Sequence, residues 1–345
     1  MPEPPRQAQP APDPMPGRYG PPLLEVLKLR VEFPTRRGTL VALQEVSFTI
    51  HPGEVLGVVG ESGAGKSMTG AAIIGLLEPP GRIAGGEIRL DGRRIDNLPH
   101  EAMRRIRGRQ IGAIFQDPLT TLNPLYTVGD QLVETMLTHL PLTPAEARRR
   151  AVHWLEMVGI PAAAQRVDSY PHEFSGGMRQ RVVIALALCA EPRLVIADEP
   201  TTALDVSIQA QIIALLKRLA REQGTAMMLV THDMGVIAET ADRVAVMYAG
   251  RIVEIGAVRD VVLHPAHPYS VGLMSSIPPV SHRVGRLRQI NGAMPRLSAI
   301  PPGCPFNPRC PQVFDRCRGE RPELLDAGAT RAACWLHDQG TPRHG

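Results

Sequence analysis

The sequence has no long apolar run and no strong excess of charge, and we expect no signal peptide at its N-terminus. Its longest wholly apolar stretch, residues 182–190, has nine residues, whereas a helix that crosses a bilayer needs about 20. A role in a membrane process would therefore require other chains to supply the membrane part. A net charge of +4 gives no indication of nucleic-acid binding. Residues 1–22 contain nine prolines and no apolar core, so we expect a disordered leader.

Lysine is scarce as well. The chain has 38 basic residues, and among them only Lys28, Lys66 and Lys217 are lysines. Lysine differs from arginine because it carries a compact charge on a slim stem. Its use at position 66, in a chain that otherwise uses arginine, indicates that this position needs a point charge.

Lys66 lies in a glycine-rich segment between a predicted strand at residues 55–59 and a predicted helix at residues 68–77. The segment has the pattern G-x-x-x-x-G-K-S, which is typical of a P-loop. In a P-loop, backbone N–H groups surround phosphates at a helix N-terminus. We expect Lys66 to reach the β- and γ-phosphates and Ser67 to ligate Mg²⁺. The predicted phosphate-binding residues are Gly60, Ser62, Gly63, Ala64, Gly65, Lys66 and Ser67.

Two carboxylates end a second apolar strand. Residues 194–197 are apolar, and Asp198 and Glu199 follow them. An aspartate at the carboxyl end of a parallel strand can hold Mg²⁺ beside the P-loop serine, and the next residue could orient or deprotonate the attacking water. Alone, the pair would indicate only a strand that ends in solvated acids. Together with the P-loop, it predicts an Mg²⁺-binding Asp198 and a catalytic Glu199.

A third motif opens an apolar helix between the first two, at Phe174-Ser175-Gly176-Gly177-Met178-Arg179-Gln180-Arg181. Ser175, Gly176 and Gly177 form a second helix N-terminus that can bind an anion. In this segment the chain resembles the ABC ATPase family, whose signature loop is a Ser-Gly-Gly segment that opens a helix. In that family the loop faces the γ-phosphate held by another subunit's P-loop. The resemblance implies that ATP joins two ATPase chains, each supplying half of two sites.

Three further residues match the family in order. Gln116 resembles the glutamine that touches Mg²⁺ and water, and Asp205 resembles a residue of the loop that couples the two sites. His232, after another predicted strand, resembles the histidine that contacts the γ-phosphate, although a lone histidine there is more often structural. Phe33 is the best candidate to stack on adenine, and a core phenylalanine is the alternative.

The resemblance covers residues 23–260 and implies the fold class. It is an α/β P-loop nucleotide-binding domain with a parallel-sheet core, an antiparallel β-subdomain and a helical subdomain at about 117–174. Thr143-Pro144-Ala145-Glu146 is typical of a helix start in that subdomain. We expect residues 261–345 to form a small Cys-rich C-terminal extension.

Four segments resemble the dipeptide and oligopeptide branch of the family, which also includes nickel importers: residues 33–38, 116–124, 174–181 and 267–269. The branch implies ATP and Mg²⁺ as cofactors. It also implies a paralogous second ATPase subunit, two permeases and an extracytoplasmic solute-binding protein as partners, at the cytoplasmic face of the inner membrane. Peptides are the expected cargo, and nickel or another small solute is the alternative. A soluble ABC protein of the ribosome or DNA would need a tandem cassette, a coiled coil or a strongly basic surface, so we expect no nucleic-acid partner.

Four of the five cysteines, Cys304, Cys310, Cys317 and Cys334, lie near the C-terminus in a segment with little apolar content. Four thiolates on one metal centre would explain how such a segment folds. Zinc sites generally use tighter spacings, so a [4Fe–4S] cluster is the first expectation. The peptide-importer ATPases that the chain resembles carry such a tail, which supports metal binding. Zinc and free thiols are the alternatives.

Overall fold

A computed structural model describes residues 20–202, 204–276 and 289–338. The predicted leader lies outside these residues apart from residues 20–22, and so do residues 277–288 and 339–345 of the predicted extension. The described strands are β1 (Leu24–Thr35), β2 (Gly38–Ile50), β3 (Val55–Val59), β4 (Arg82–Leu90), β5 (Arg93–Arg94), β6 (Ile111–Ile114), β7 (Leu194–Asp198), β8 (Ala226–Val230), β9 (Arg243–Tyr248), β10 (Arg251–Ala257), β11 (Leu325–Asp326) and β12 (Thr330–Ala332).

The described α-helices surround these strands, and none of them combines the length and apolarity that a bilayer crossing requires. They are α1 (Lys66–Ile73), α2 (His100–Ile106), α3 (Pro118–Thr121), α4 (Val128–His139), α5 (Pro144–Met157), α6 (Ala163–Arg166), α7 (Gly176–Leu188), α8 (Val206–Gln223), α9 (Met234–Thr240), α10 (Val258–Leu263), α11 (Pro268–Ser275) and α12 (Asp315–Gly319).

The larger sheet has the strand order β11-β12-β10-β9-β3-β8-β7-β6. Strands β9, β3, β8, β7 and β6 run parallel to one another. Every residue of β3, β8 and β9 is buried, which is expected of parallel strands covered by helices on both faces. The carboxyl ends of β3, β7 and β8 meet at one edge, so the segments that follow them are brought together there.

A second, antiparallel sheet has the order β2-β1-β4-β5. The parallel core and the antiparallel sheet that the sequence predicts are thus both confirmed. Helices α4 and α5 pack against each other and against α7, burying Leu132, Met136 and Trp154 in the core. Helix α5 begins with a capping box, in which the Thr143 hydroxyl oxygen accepts from the Glu146 backbone N–H and the Glu146 carboxylate accepts from the Thr143 backbone N–H. The bounds of the helical subdomain, about 117–174, stay a prediction.

The chain beyond residue 260 returns to the larger sheet. Strand β12 pairs antiparallel with β10, placing Ala332 opposite Glu254 and Thr330 opposite Gly256. The buried Glu254 carboxylate accepts the backbone N–H groups of Ala266 and His267 and the Thr330 hydroxyl. The C-terminal segment therefore packs as part of the sheet, and the boundary predicted at residue 260 stays a prediction.

Candidate functional site

The P-loop connects the end of β3 to the start of α1. Gly65, which precedes α1, has φ of 104°, and an added Cβ there would lie 2.7 Å from Leu43 Cδ2. Only glycine is compatible with both the left-handed backbone and this close approach. Lys66 is buried, and its Nζ donates to the carbonyl oxygens of Gly60 at 2.9 Å and Glu61 at 3.2 Å. Burial lowers the pKa of Lys66, while Glu199 and Asp198 oppose that shift.

Ser67 and Asp198 lie side by side, as predicted for an Mg²⁺ site. The Ser67 hydroxyl donates to Asp198 Oδ1 at 2.9 Å. Burial raises the pKa of Asp198, the Ser67 hydrogen bond lowers it, and neighbouring Glu199 raises it further. A hydroxyl, a carboxylate and the side-chain carbonyl of nearby Gln116 are hard oxygen donors, which is the donor set that Mg²⁺ prefers.

Glu199 brings the predicted catalytic residues together. Its φ of 45° is a left-handed conformation rare for a non-glycine residue, and such backbone strain is concentrated at functional sites. Its Oε2 accepts from Gln116 Nε2 at 3.2 Å and from the Thr202 hydroxyl at 3.0 Å. His232 Nδ1 lies 3.5 Å from its Oε1. Thr202 was not predicted, although it lies only three residues before Asp205, which was.

Gln116, Glu199 and His232 face one open cleft of about 640 Å³, which has room for a nucleoside triphosphate. Leu297, from a short 3₁₀ turn at Leu297–Ala299, also lines it, and no sequence pattern indicated this residue. The predicted phosphate-binding residues Gly60 and Ala64 are not among its described lining residues, and Ala64 is buried. The described lining residues are Ala42, Ser62, Gly63, Gly65, Lys66, Ser67, Met68, Gln116, Glu199, His232 and Leu297.

The predicted signature loop and Asp205 lie at the N-termini of two other helices, α7 and α8. Ser175 caps α7, where its Oγ accepts from the Met178 N–H, and Asp205 caps α8. The two helices meet closely, because a Cβ added at Gly177 would lie 2.8 Å from Ile208 Cγ2. Neither Ser175, Gly176 and Gly177 nor Asp205 is among the residues that line the Lys66 cleft. Within this chain the structure does not bring them to the P-loop.

Phe33 also lies outside the lining of that cleft. It lines an adjoining apolar cavity that shares Ser67 and Met68 with the cleft. Its ring lies over Gly81, where an added Cβ would be 2.7 Å from Phe33 Cε1. Stacking of Phe33 on adenine stays a prediction.

The four C-terminal cysteines line one small cavity together with His267. None of them is in a disulfide, and burial raises the pKa of Cys304 to about 11 and that of Cys334 to about 12. Over residues 20–202, 204–276 and 289–338, no three His, Cys, Asp or Glu side chains lie close enough to hold a single metal ion. The structure thus supports neither the [4Fe–4S] cluster nor the zinc alternative as a metal site, and it shows only that the four thiols line one cavity.

Comparison with known proteins finds the same architecture and motifs elsewhere. Residues 43–202 match the family model described as ABC transporter, and residues 253–317 match that described as oligopeptide/dipeptide transporter, C-terminal region. The chain is 50% identical over 311 residues to the oligopeptide transport ATP-binding protein OppD of Salmonella typhimurium, which covers 90% of this chain and 92% of that protein. It is 47% identical to the dipeptide transport ATP-binding protein DppD of Bacillus subtilis, over 92% of this chain and 95% of that protein.

A solved structure agrees with the sequence comparisons. The dimeric ATP-binding cassette MJ0796, in a post-hydrolysis state bound to ADP and Pi, superimposes with a TM-score of 0.62 at 28% identity, covering 68% of this chain and 99% of that one. ATP and Mg²⁺ are accordingly the cofactors expected at the Lys66 cleft. The chain belongs to the ABC transporter family, among the ATP-binding proteins of oligopeptide and dipeptide transport.

Proposed function

We propose that this chain is the ATP-hydrolysing subunit that energises the import of di- and oligopeptides through a multi-subunit ABC transporter. The observation that carries the proposal is the contact of Gln116, Thr202 and His232 with Glu199, which lines the same cleft as Lys66 and Ser67. The names of the relatives in oligopeptide and dipeptide transport support the choice of cargo.

The residues of the cleft divide the work of hydrolysis. Lys66 exchanges its contacts with the loop carbonyls for the β- and γ-phosphates, which the P-loop backbone surrounds. Ser67, Asp198 and Gln116 would hold Mg²⁺, which supplies positive charge to the phosphates. Glu199 orients the attacking water and accepts its proton, since Gln116 and Thr202 fix the carboxylate from the other side. His232 borders the same carboxylate and donates towards the γ-phosphate.

A second ATPase chain, a paralogue, completes each site. Ser175 caps a helix that is outside the Lys66 cleft, so its N-terminal N–H groups serve the γ-phosphate held by that partner. Two permeases and an extracytoplasmic binding protein complete the transporter, and the permeases hold the ATPase pair at the cytoplasmic face of the inner membrane. ATP closes the pair, and hydrolysis resets it.

The test is ATP hydrolysis by the reconstituted complex of this chain with its co-purified partners. We expect dipeptides or oligopeptides, delivered by the binding protein, to raise the rate, and Glu199→Gln to abolish the increase. Lys66→Ala should instead remove nucleotide binding. Stimulation by nickel and not by peptides would show that nickel, and not peptide, is the cargo. A chain that co-purifies with ribosomes or DNA would contradict the transport function.

We also propose that Cys304, Cys310, Cys317 and Cys334 bind a [4Fe–4S] cluster with a structural or regulatory role. What supports the proposal is that the four side chains line one cavity, where a cluster would take them as thiolates, the form of cysteine that ligates metal. Anaerobic purification followed by iron, sulfide and zinc analysis tests this. Cys317→Ser should lose iron and sulfide, whereas Cys189→Ser, in the core next to the end of α7, should keep both. Metal-free, stably folded protein would contradict the proposal. Zinc without iron would show that the four cysteines bind zinc and not a cluster.

A further inference from the structure

The first variable residue of the P-loop, Glu61, is held by the C-terminal segment. Arg309 forms a two-pronged ion pair with it: Nη1 donates to Oε2 at 2.9 Å and Nη2 donates to Oε1 at 3.0 Å. The Glu61 backbone N–H donates to the hydroxyl of Tyr269, on α11, at 2.9 Å. Both the side chain and the backbone of Glu61 are therefore fixed by residues more than 200 positions away.

Arg309 is itself held in place. Its side chain is only 6% exposed, and its Nε donates to the Asn291 carbonyl oxygen at 2.9 Å. The guanidinium lies 5.8 Å from the Tyr248 ring centroid and 5.9 Å from that of Phe306, within the range of cation–π attraction. Because so few rotamers are open to it, this arginine acts as a fixed positive charge beside the loop.

The rings around Arg309 form one aromatic cluster with Tyr269. The centroids of Tyr248 and Tyr269 are 4.7 Å apart, and Phe306 lies 5.3 Å from the first and 5.4 Å from the second. Phe306 precedes the 3₁₀ turn at Asn307–Arg309 and Arg309 is its last residue, so both lie between Cys304 and Cys310. The segment that bears the cysteines is thus packed directly against the residues that hold Glu61.

Glu61 has two effects on ATP binding that depend on this pairing. Its carboxylate is 29% exposed and adjoins Ser62 and Gly63 of the cleft, so without Arg309 its negative charge would repel a triphosphate. Its carbonyl oxygen accepts from Lys66 Nζ, so movement of Glu61 would also displace the lysine. A neutralised and immobile Glu61 favours ATP on both counts.

We propose that Arg309 is a positioning residue for ATP binding, through which the cysteine-bearing C-terminal segment sets the affinity of the P-loop for triphosphates. The proposal rests on the function proposed above, since it concerns the same cleft. It assigns to the C-terminal segment a part in nucleotide binding that needs no metal.

The test is equilibrium binding of ATP and adenosine to the full chain without hydrolysis, for wild type, Arg309→Gln, Glu61→Gln and the double variant. Loss of a charge-assisted pair should weaken ATP binding about tenfold in Arg309→Gln, equivalent to about 1.4 kcal/mol. Adenosine carries no phosphate, so its affinity should stay within about twofold. The double variant should bind ATP like Glu61→Gln, because loss of Arg309 has no further effect once Glu61 carries no charge to be neutralised.

Two further variants separate positioning from a general loss of folding. Arg316→Gln is the matched control, because the carboxylate partners Glu320 and Asp338 lie in the C-terminal segment itself, and its ATP affinity should not change. Arg309→Lys keeps the positive charge but cannot form the two parallel hydrogen bonds of a guanidinium group, so it should bind ATP about threefold more weakly than wild type. This variant keeps the test decisive if the glutamine variant does not fold.

The outcomes distinguish this proposal from the broader one. ATP affinity unchanged in both folded Arg309 variants, or an equal loss for ATP and adenosine, would overturn the positioning role. A wild-type complex that binds and hydrolyses no ATP would overturn the proposed function instead. A wild-type complex that is active, with Arg309 variants that differ from it only in ATP affinity, supports both.

Discussion

Replacement of Glu199 by glutamine should separate ATP binding from ATP hydrolysis. In the structure, Glu199 Oε2 accepts from Gln116 Nε2 and the Thr202 hydroxyl, and Oε1 is the atom beside His232 Nδ1. A glutamine can place its carbonyl oxygen at the Oε2 position and keep both hydrogen bonds. Its NH₂ group then replaces Oε1, so the group that should face the water can no longer accept a proton.

The magnitude follows from this geometry. Removal of a positioned general base typically costs a factor of about 10²–10⁴ in rate, which corresponds to about 2.7–5.5 kcal/mol in the activation free energy. ATP affinity should not fall, because the P-loop contacts are intact and one negative charge near the phosphates has been removed. We therefore expect the loss in kcat, with the dissociation constant for ATP equal to or lower than that of wild type.

The assay is phosphate release by the assembled transporter, with ATP binding measured separately on the same preparation. Lys66→Ala serves as the contrasting variant, since it should lose binding itself. A Glu199→Gln complex that turns over within about threefold of wild type would refute the assignment of Glu199 as the base. Equal losses in binding for both variants would refute the separation of roles within the cleft.

Three further predictions concern single residues. Thr202→Val removes a hydrogen bond to the Glu199 carboxylate and should lower kcat about tenfold at unchanged ATP affinity; an unchanged kcat would show that Gln116 alone fixes Glu199. Arg243→Met leaves the fully buried Glu54 carboxylate without the partner that now donates to it at 2.8 Å, so urea titration should find the free energy of unfolding lower by about 3–5 kcal/mol. A loss below about 1 kcal/mol would show that Glu54 is accommodated in its neutral form. Burial raises the pKa of the Cys189 thiol to about 12, so a maleimide at pH 8 should label this residue only after unfolding, as read by mass spectrometry; rapid labelling of the native protein would contradict its place in the core.

The parts of the fold that the sequence predicted well are those encoded locally. The buried strands at residues 55–59 and 194–198, and the helix start at Thr143, depend on apolar runs and capping residues within a few positions of each other. The helix predicted for residues 68–77 begins at Lys66 and ends at Ile73. It ends early because Gly75, with φ of 65°, turns the chain away from the helix.

The composition of the site was predicted less directly. Gln116, Glu199 and His232 lie far apart in the chain, and their convergence followed from the resemblance to the family and not from their spacing. The position of Leu297 in the cleft could not be predicted, because this residue lies in a short turn that no periodic pattern precedes. Contacts of this kind depend on the tertiary arrangement of distant segments, which single-sequence patterns do not encode.

The pairing of β12 with β10 has a consequence for how the protein behaves in solution. A chain cut after β10 would leave the edge of Glu254–Gly256 that faces β12 without its present neighbour, and an open strand edge is a template for pairing with other molecules. In the intact chain that edge is covered, and the outermost strand becomes β11, which has only two residues. The C-terminal segment therefore also protects the sheet against edge-to-edge aggregation.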